Sequence, residues 1–80
     1  MDGFPVQTPA QLGALLRGHR RERGLSQAQL AHQLGLHQST LSNAELHPER
    51  LGVDGLFRIL SGLGLELVLR GRESVPRGDW

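Results

Sequence analysis

Apolar residues recur at helical spacing through most of this chain and change to alternation near its end. Leu12, Leu15 and Leu16 lie three and four positions apart and form one stripe, preceded by Thr8-Pro9-Ala10-Gln11. Thr8 suits the cap, Pro9 the first helical position and Gln11 the reciprocal capping position, so a first helix is predicted over about 9 to 23, closed by Gly24. Ser26-Gln27-Ala28-Gln29 repeats the capping pattern, and Leu30, Ala31 and Leu34 then mark a two-turn helix ended by Gly35. A third helix is expected from Gln38 to about Leu46, with Leu41 and Ala44 inward, stopped by His47-Pro48 because a residue before proline avoids helical backbone. Two helices this short, three residues apart, must cross at a steep angle. Residues 49 to 52 read as loop, and Val53, Leu56, Phe57, Ile59, Leu60 and Leu63 mark a fourth helix ending at Gly64.

From Leu65 the period shortens to two. Leu65, Leu67 and Leu69 alternate with Glu66, Val68 and Arg70, which predicts a strand over 65 to 70. A single strand cannot satisfy its own backbone, and the chain offers no second one. The expected partner is the same strand of another copy, in a two-fold dimer; the alternative is an extended tail lying on its own helices. Residues 1 to 8 form an N-terminal extension, 9 to 64 the helical domain, 65 to 70 the dimerisation strand and 71 to 80 a mobile tail rich in glycine, proline and charge.

Composition narrows the function. Eighty residues make one small domain, which buries only about 60% of its unfolded surface and gains from a partner subunit. Without cysteine there are no disulfides or thiolate metal sites, and His19, His32 and His47 do not share ligand spacing with acids, so no metal or cofactor is expected. No phosphate-binding glycine loop, cysteine nucleophile or paired carboxylates are present, and the chain has little room for a catalytic cleft, so an enzyme is not expected. No apolar run approaches the roughly 20 residues of a membrane span, and the N-terminus lacks a signal-peptide layout, which makes the cytoplasm the expected address.

Net charge is only +1, yet all nine basic residues are arginine, and Arg17, Arg20, Arg21 and Arg23 fall within seven positions. Such a cluster is either a solvated helix face or a source of phosphate contacts; Arg17, Arg21, Arg23 and Arg50 are the candidates for the latter.

Residues 24 to 45 have the make-up of a helix-turn-helix. Ala31 is small where two helices approach, Gly35 turns the chain, and Leu30, Leu34, Leu36 and Leu41 fill the wedge between them. The outward residues, His37, Gln38, Ser39, Ser42 and Asn43, are short and polar and suit hydrogen bonding to base edges in a major groove.

Here the chain resembles the Cro/C1 type of helix-turn-helix over residues 12 to 64. The pattern is carried by Ser26, Gln27, Leu30, Ala31, Leu34, Gly35, Leu36, Gln38, Thr40, Leu41, Ser42 and Glu45. The resemblance implies an all-α, lambda-repressor-like bundle of four helices. It also implies phosphate contacts from Ser26 and Gln27, base contacts from Gln38, Ser39 and Asn43, and a structural ion pair between Arg20 and Glu45. The C-terminal half narrows this: Leu56-Phe57-Arg58-Ile59-Leu60, Leu63, the stretch Leu65 to Arg70 and a tail ending in Trp80 resemble HipB antitoxins. That likeness implies a homodimer joined through Leu65, Leu67, Val68 and Leu69. Such a dimer would repress its own operon at an inverted-repeat operator in double-stranded DNA, and Trp80 would contact a HipA-like serine/threonine kinase toxin. A free-standing Cro/C1-type repressor and a non-DNA-binding interaction module of the same fold are the alternatives, the second kept open by the near-neutral charge.

Overall fold

The computed structural model describes residues 3–72. Its elements follow in the order α1 (Pro9–Glu22), α2 (Gln27–Leu34), α3 (Gln38–Leu46), a 3-10 turn (Pro48–Arg50) and α4 (Val53–Gly62). Both expected capping boxes form. At the start of α1 the Gln11 amide donates to the Thr8 hydroxyl oxygen at 3.1 Å, and the Thr8 amide donates back to the Gln11 side-chain carbonyl at 3.2 Å. At α2 the Gln29 amide donates to Ser26 Oγ at 3.0 Å and the Ser26 amide to Gln29 Oε1 at 2.8 Å. Each pair satisfies backbone donors that a helix start leaves without intrahelical partners.

Three helix ends share one chemistry. Gly24, Gly35 and Gly64 have φ of 70°, 68° and 71°, and the residue after each donates its amide back five positions: Leu25 to Arg20, Leu36 to Ala31 and Leu65 to Leu60. This is the glycine-terminated helix end in which a left-handed residue lets the last carbonyls find donors. α1 stops at Glu22, with Arg23 as its cap.

Leu16, Leu30, Ala31, Leu41, Ala44, Ile59, Leu60 and Leu63 form the buried core, and Leu12, Leu25, Leu34, Leu36, Leu51, Leu56 and Leu65 pack around it. Of the wedge residues, Leu30 and Leu41 are wholly buried while Leu34 and Leu36 are half-buried. Glu49 and Arg50, expected as loop, wind with Pro48 into the 3-10 turn, and Pro48 is buried. The proline therefore does more than stop α3: its ring lies beside Gly13 of α1, so it also packs the end of α3 against the first helix.

The strand expected over 65 to 70 does not form within the single chain: α4 is the last regular element among the described residues, none of which is in a strand. Its backbone has no extended neighbour there to pair with, so a ladder would need a second copy. The segment does not lie on its own helices either. Leu65 rests on the core, but Leu67, Val68 and Leu69 are 52%, 67% and 90% exposed. Val53 and Phe57 of α4, expected as helix-defining apolar positions, also face outward. Trp80 lies outside the described residues.

Among the glycines described, Gly13 is the one where another stretch of backbone comes nearest. A Cβ built there would collide with the main-chain carbonyl of Glu45 and lie 3.2 Å from Pro48 Cγ. Helix propensity would favour Gly13→Ala by at most about 1 kcal/mol. Overpacking against a backbone carbonyl, which cannot swing aside, costs about 1 to 3 kcal/mol. Collision should therefore win, and Gly13→Ala should lower the urea midpoint of unfolding; a raised midpoint would contradict so close an approach.

Candidate nucleic-acid interface

α3 divides its residues cleanly between two faces. Leu41, Ala44 and Glu45 are buried, Gln38, Ser39 and Asn43 are exposed, and Ser42 is half-buried. Ser39 and Asn43 lie one turn apart on the side opposite the core, whereas Gln38 and Ser42 border the buried stripe of Leu41 and Glu45, with Gln38 exposed and Ser42 half-buried. His37 is the N-cap and is exposed, but its side chain makes no capping hydrogen bond. α3 thus begins differently from α1 and α2. Its first-turn amides have no side-chain acceptor, and such a helix start attracts anionic oxygens.

What holds this face in place is a buried charge network behind it. Arg20 of α1 donates through Nε to Glu45 Oε2 at 2.7 Å and through Nη2 to Oε1 at 3.1 Å, with the two residues only 7% and 4% exposed. The third arm of the same guanidinium donates to the Leu25 carbonyl at 2.8 Å, in the turn between α1 and α2. Gln27, the first residue of α2, donates Nε2 to Glu45 Oε1 at 3.0 Å, and Arg17 Nε stands 3.9 Å from the same oxygen. One carboxylate of α3 is therefore fastened to α1 and α2 at once. The ion pair implied by the family resemblance is present, and it includes two groups that sequence reasoning had assigned to phosphates, Gln27 and Arg17.

The other expected phosphate ligands are dispersed. Ser26 spends its hydroxyl oxygen on the α2 cap, and Arg21 is exposed. Arg50 lines a shallow groove of about 390 Å³ with Thr40, Asn43 and His47, which brings it beside one of the exposed α3 residues. Arg23, also exposed, donates Nη1 to the Gly62 carbonyl at the end of α4, at 3.0 Å. Sequence reasoning missed three things here: the Gln27 link, the Arg23 link and the role of Gly13. Only the last left a trace, as a glycine inside an otherwise leucine-rich helical pattern, where it needs a packing reason. Among the described residues no cluster of acids and histidines could hold a metal, and no helix is long and apolar enough to cross a membrane.

Burial alone would raise the Glu45 carboxyl, but the hydrogen bonds from Arg20 and then Gln27, with the charges of Arg20 and Arg17, outweigh it and hold the group below its ordinary value of 4.5. A group depressed in the folded state stabilises fully above its unfolded value, and that stabilisation disappears as pH falls through the folded value. Urea midpoints measured from about pH 6 to about pH 3 should fall steeply below about 4.5 for the natural chain and more gently for Glu45→Gln, which starts lower because it leaves Arg20 buried without a counter-charge. Parallel pH profiles for the two proteins would mean that Glu45 has no part in acid unfolding.

A family described as a helix-turn-helix domain matches residues 11–46, which span α1 to α3. The chain is 33% identical over 64 residues to the antitoxin HipB of Escherichia coli K12, covering 80% of this chain and 73% of that protein. It shows the same identity to HipB of Escherichia coli O6:H1, of which it covers 68%. Among solved structures, HipB in a HipB–O1–O2 complex superposes with a TM-score of 0.80 at 30% identity, covering 86% of this chain and all of that one. A HipA–HipB–O2–O3 complex gives the same score and identity, over 86% of this chain and 97% of that one. Two short helices joined by a tight turn, an outward polar face on the second and a relative matched over most of its length lead to one conclusion: the chain belongs to the HipB family of DNA-binding helix-turn-helix antitoxins, which are not enzymes.

Proposed function

We propose that this antitoxin acts in the cytoplasm as a homodimer that binds an inverted-repeat operator of its own operon and a HipA-like serine/threonine kinase toxin. The observation that carries the DNA half is the face of α3: an uncapped helix start with His37, Gln38, Ser39 and Asn43 exposed and Ser42 half-buried beside them, braced from behind by Glu45. In this reading those residues touch bases, while Ser26, Gln27, Arg17, Arg21 and Arg50 lie toward phosphates. Gln27 can serve both ends, since one amide hydrogen engages Glu45 and the other remains.

Dimerisation is supported by apolar surface that nothing among the described residues covers. Val53 and Phe57 on α4 and Leu67, Val68 and Leu69 beyond it are all at least half exposed, in a domain too small to leave such area open without cost. Pairing the 65–70 segments of two copies would satisfy their backbones and cover these side chains. It would also carry two α3 helices to successive major grooves about 34 Å apart. The toxin half is supported by the solved HipA–HipB–O2–O3 complex of a relative. Trp80, proposed to contact the toxin, lies outside the described residues.

Co-purification with the product of the neighbouring gene, followed by a mobility-shift titration on the upstream promoter, tests the whole reading. A kinase-like partner in a complex that shifts the promoter supports it. A chain that shifts the promoter with no partner would be a free-standing repressor, and failure of both would leave only a protein-interaction module. At finer grain, Gln38→Ala should reduce discrimination between operator and a single-base variant by about 1 to 3 kcal/mol, while Arg21→Ala should weaken all sequences alike and flatten the salt slope by about 1 per subunit. Equal losses on operator and random DNA would remove Gln38 from the base-reading set. Replacing Leu67 and Leu69 together by Asp should give a monomer in sedimentation at concentrations where the natural chain is a dimer; an unchanged dimer would refute pairing through this segment.

A further inference from the structure

The C-terminal end of α4 is where the helical domain hands over to the segment proposed to join two copies. Its last carbonyls are satisfied in sequence. The Leu65 amide donates to the Leu60 carbonyl at 2.8 Å and the Gly64 amide to the Ser61 carbonyl at 3.1 Å, through the left-handed turn at Gly64. That pattern leaves the Gly62 carbonyl as the next acceptor, and it is taken from outside the helix: Arg23 Nη1 donates to it at 3.0 Å across 39 residues of chain. The other terminal nitrogen, Nη2, lies 3.8 Å from where a Gly64 Cβ would be, so the guanidinium spans the turn itself. A cation at a helix C-terminus also faces the negative end of the helix dipole.

Gly62 is held on its other side as well. A Cβ there would run into the side chain of Leu34, the last residue of α2, so the end of α4 sits directly against the helix-turn-helix. Arg23 in turn is the cap of α1, one residue before the Gly24 turn that leads into α2. One guanidinium therefore links the entry to the reading unit with the departure point of the 65–70 segment. Its contact is an uncharged carbonyl within the fold, whereas Arg21, two residues earlier, has no such engagement among the described residues.

We infer that Arg23 is a positioning residue: by holding the Gly62 carbonyl it fixes the angle at which residues 65–70 leave the domain, and thereby the half-site spacing that the dimer accepts. This rests on the dimer reading above. A phosphate ligand and a positioning residue predict different things. Losing one phosphate contact per subunit lowers the salt slope of a dimer by about 1.8, twice the value of about 0.9 per phosphate. Losing a brace leaves the slope alone and loosens geometry.

The test uses the full chain and its Arg23→Met and Arg23→Lys variants, titrated on operators with natural half-site spacing or with one base pair added or removed, at several salt concentrations. Sedimentation of the natural chain is run beside it. The natural protein should prefer its own spacing by about tenfold, the cost of a misplaced contact. Arg23→Met should reduce that preference to about threefold or less with an unchanged salt slope, and Arg23→Lys, which keeps a donor, should recover most of it. Amide exchange at Gly64 and Leu65 should be several-fold faster in Arg23→Met than in the natural chain. A slope reduced by about 1.8 with spacing preference intact would make Arg23 a phosphate ligand. No change in spacing preference or in exchange would make it a solvated side chain. A natural chain that sediments as a monomer would overturn the dimer reading and the spacing role with it, while the exchange rates decide the local brace separately.

Discussion

The buried carboxylate of Glu45 is the group on which the arrangement of this domain depends. A charge withdrawn from water is tolerable only with close and complete partners, and Glu45 receives donors from Arg20 and Gln27, with Arg17 nearby. Because those partners come from α1 and from the first residue of α2, satisfying the charge also fixes where α3 must lie. Apolar packing through Leu16, Leu30 and Leu41 supplies cohesion, but leucines tolerate small slides. A bidentate guanidinium–carboxylate pair is far less permissive in direction.

The same locality explains why α1 must carry a glycine. The Glu45 main-chain carbonyl comes so close to Gly13 that no side chain fits, and the buried Pro48 closes over the same spot. Side-chain pairing at one end of Glu45 and backbone contact at the other leave α3 with its polar face outward and little freedom to rotate. A reading surface of short side chains such as Ser39 and Asn43 needs this, since they reach only a little way beyond the helix and depend on its placement for what they touch.

Farther out, the domain is less self-contained. α4 buries Ile59 and Leu60 but turns Val53 and Phe57 to solvent, and residues 66–72 lie off the core. Arg23 stands at this boundary, binding the last turn of α4 to the end of α1. The contrast between its neighbours is instructive. Arg17, Arg20, Arg21 and Arg23 look alike as a basic cluster, yet Arg20 is buried in an ion pair, Arg17 flanks it, and of the two exposed ones Arg23 donates to the end of α4.

By itself the sequence determined the four helices, their caps and their stops, because capping boxes, glycine ends and leucine spacing act over three to five residues and are satisfied locally. It also determined which side of α3 faces outward, through the positions of Leu41 and Ala44, and the family pattern identified Arg20 with Glu45. Tertiary structure decided what periodicity cannot express. It set which arginine is spent on which acceptor, brought Gln27 to a carboxylate 18 residues away, and made Gly13 and Pro48 meet across the α1–α3 contact. The alternation over 65 to 70 was legible as strand patterning, but a strand is completed by a neighbour's hydrogen bonds, and the described residues of one chain hold no such neighbour. Local rules settle elements; partners distant in the chain, or on another chain, settle what each side chain is for.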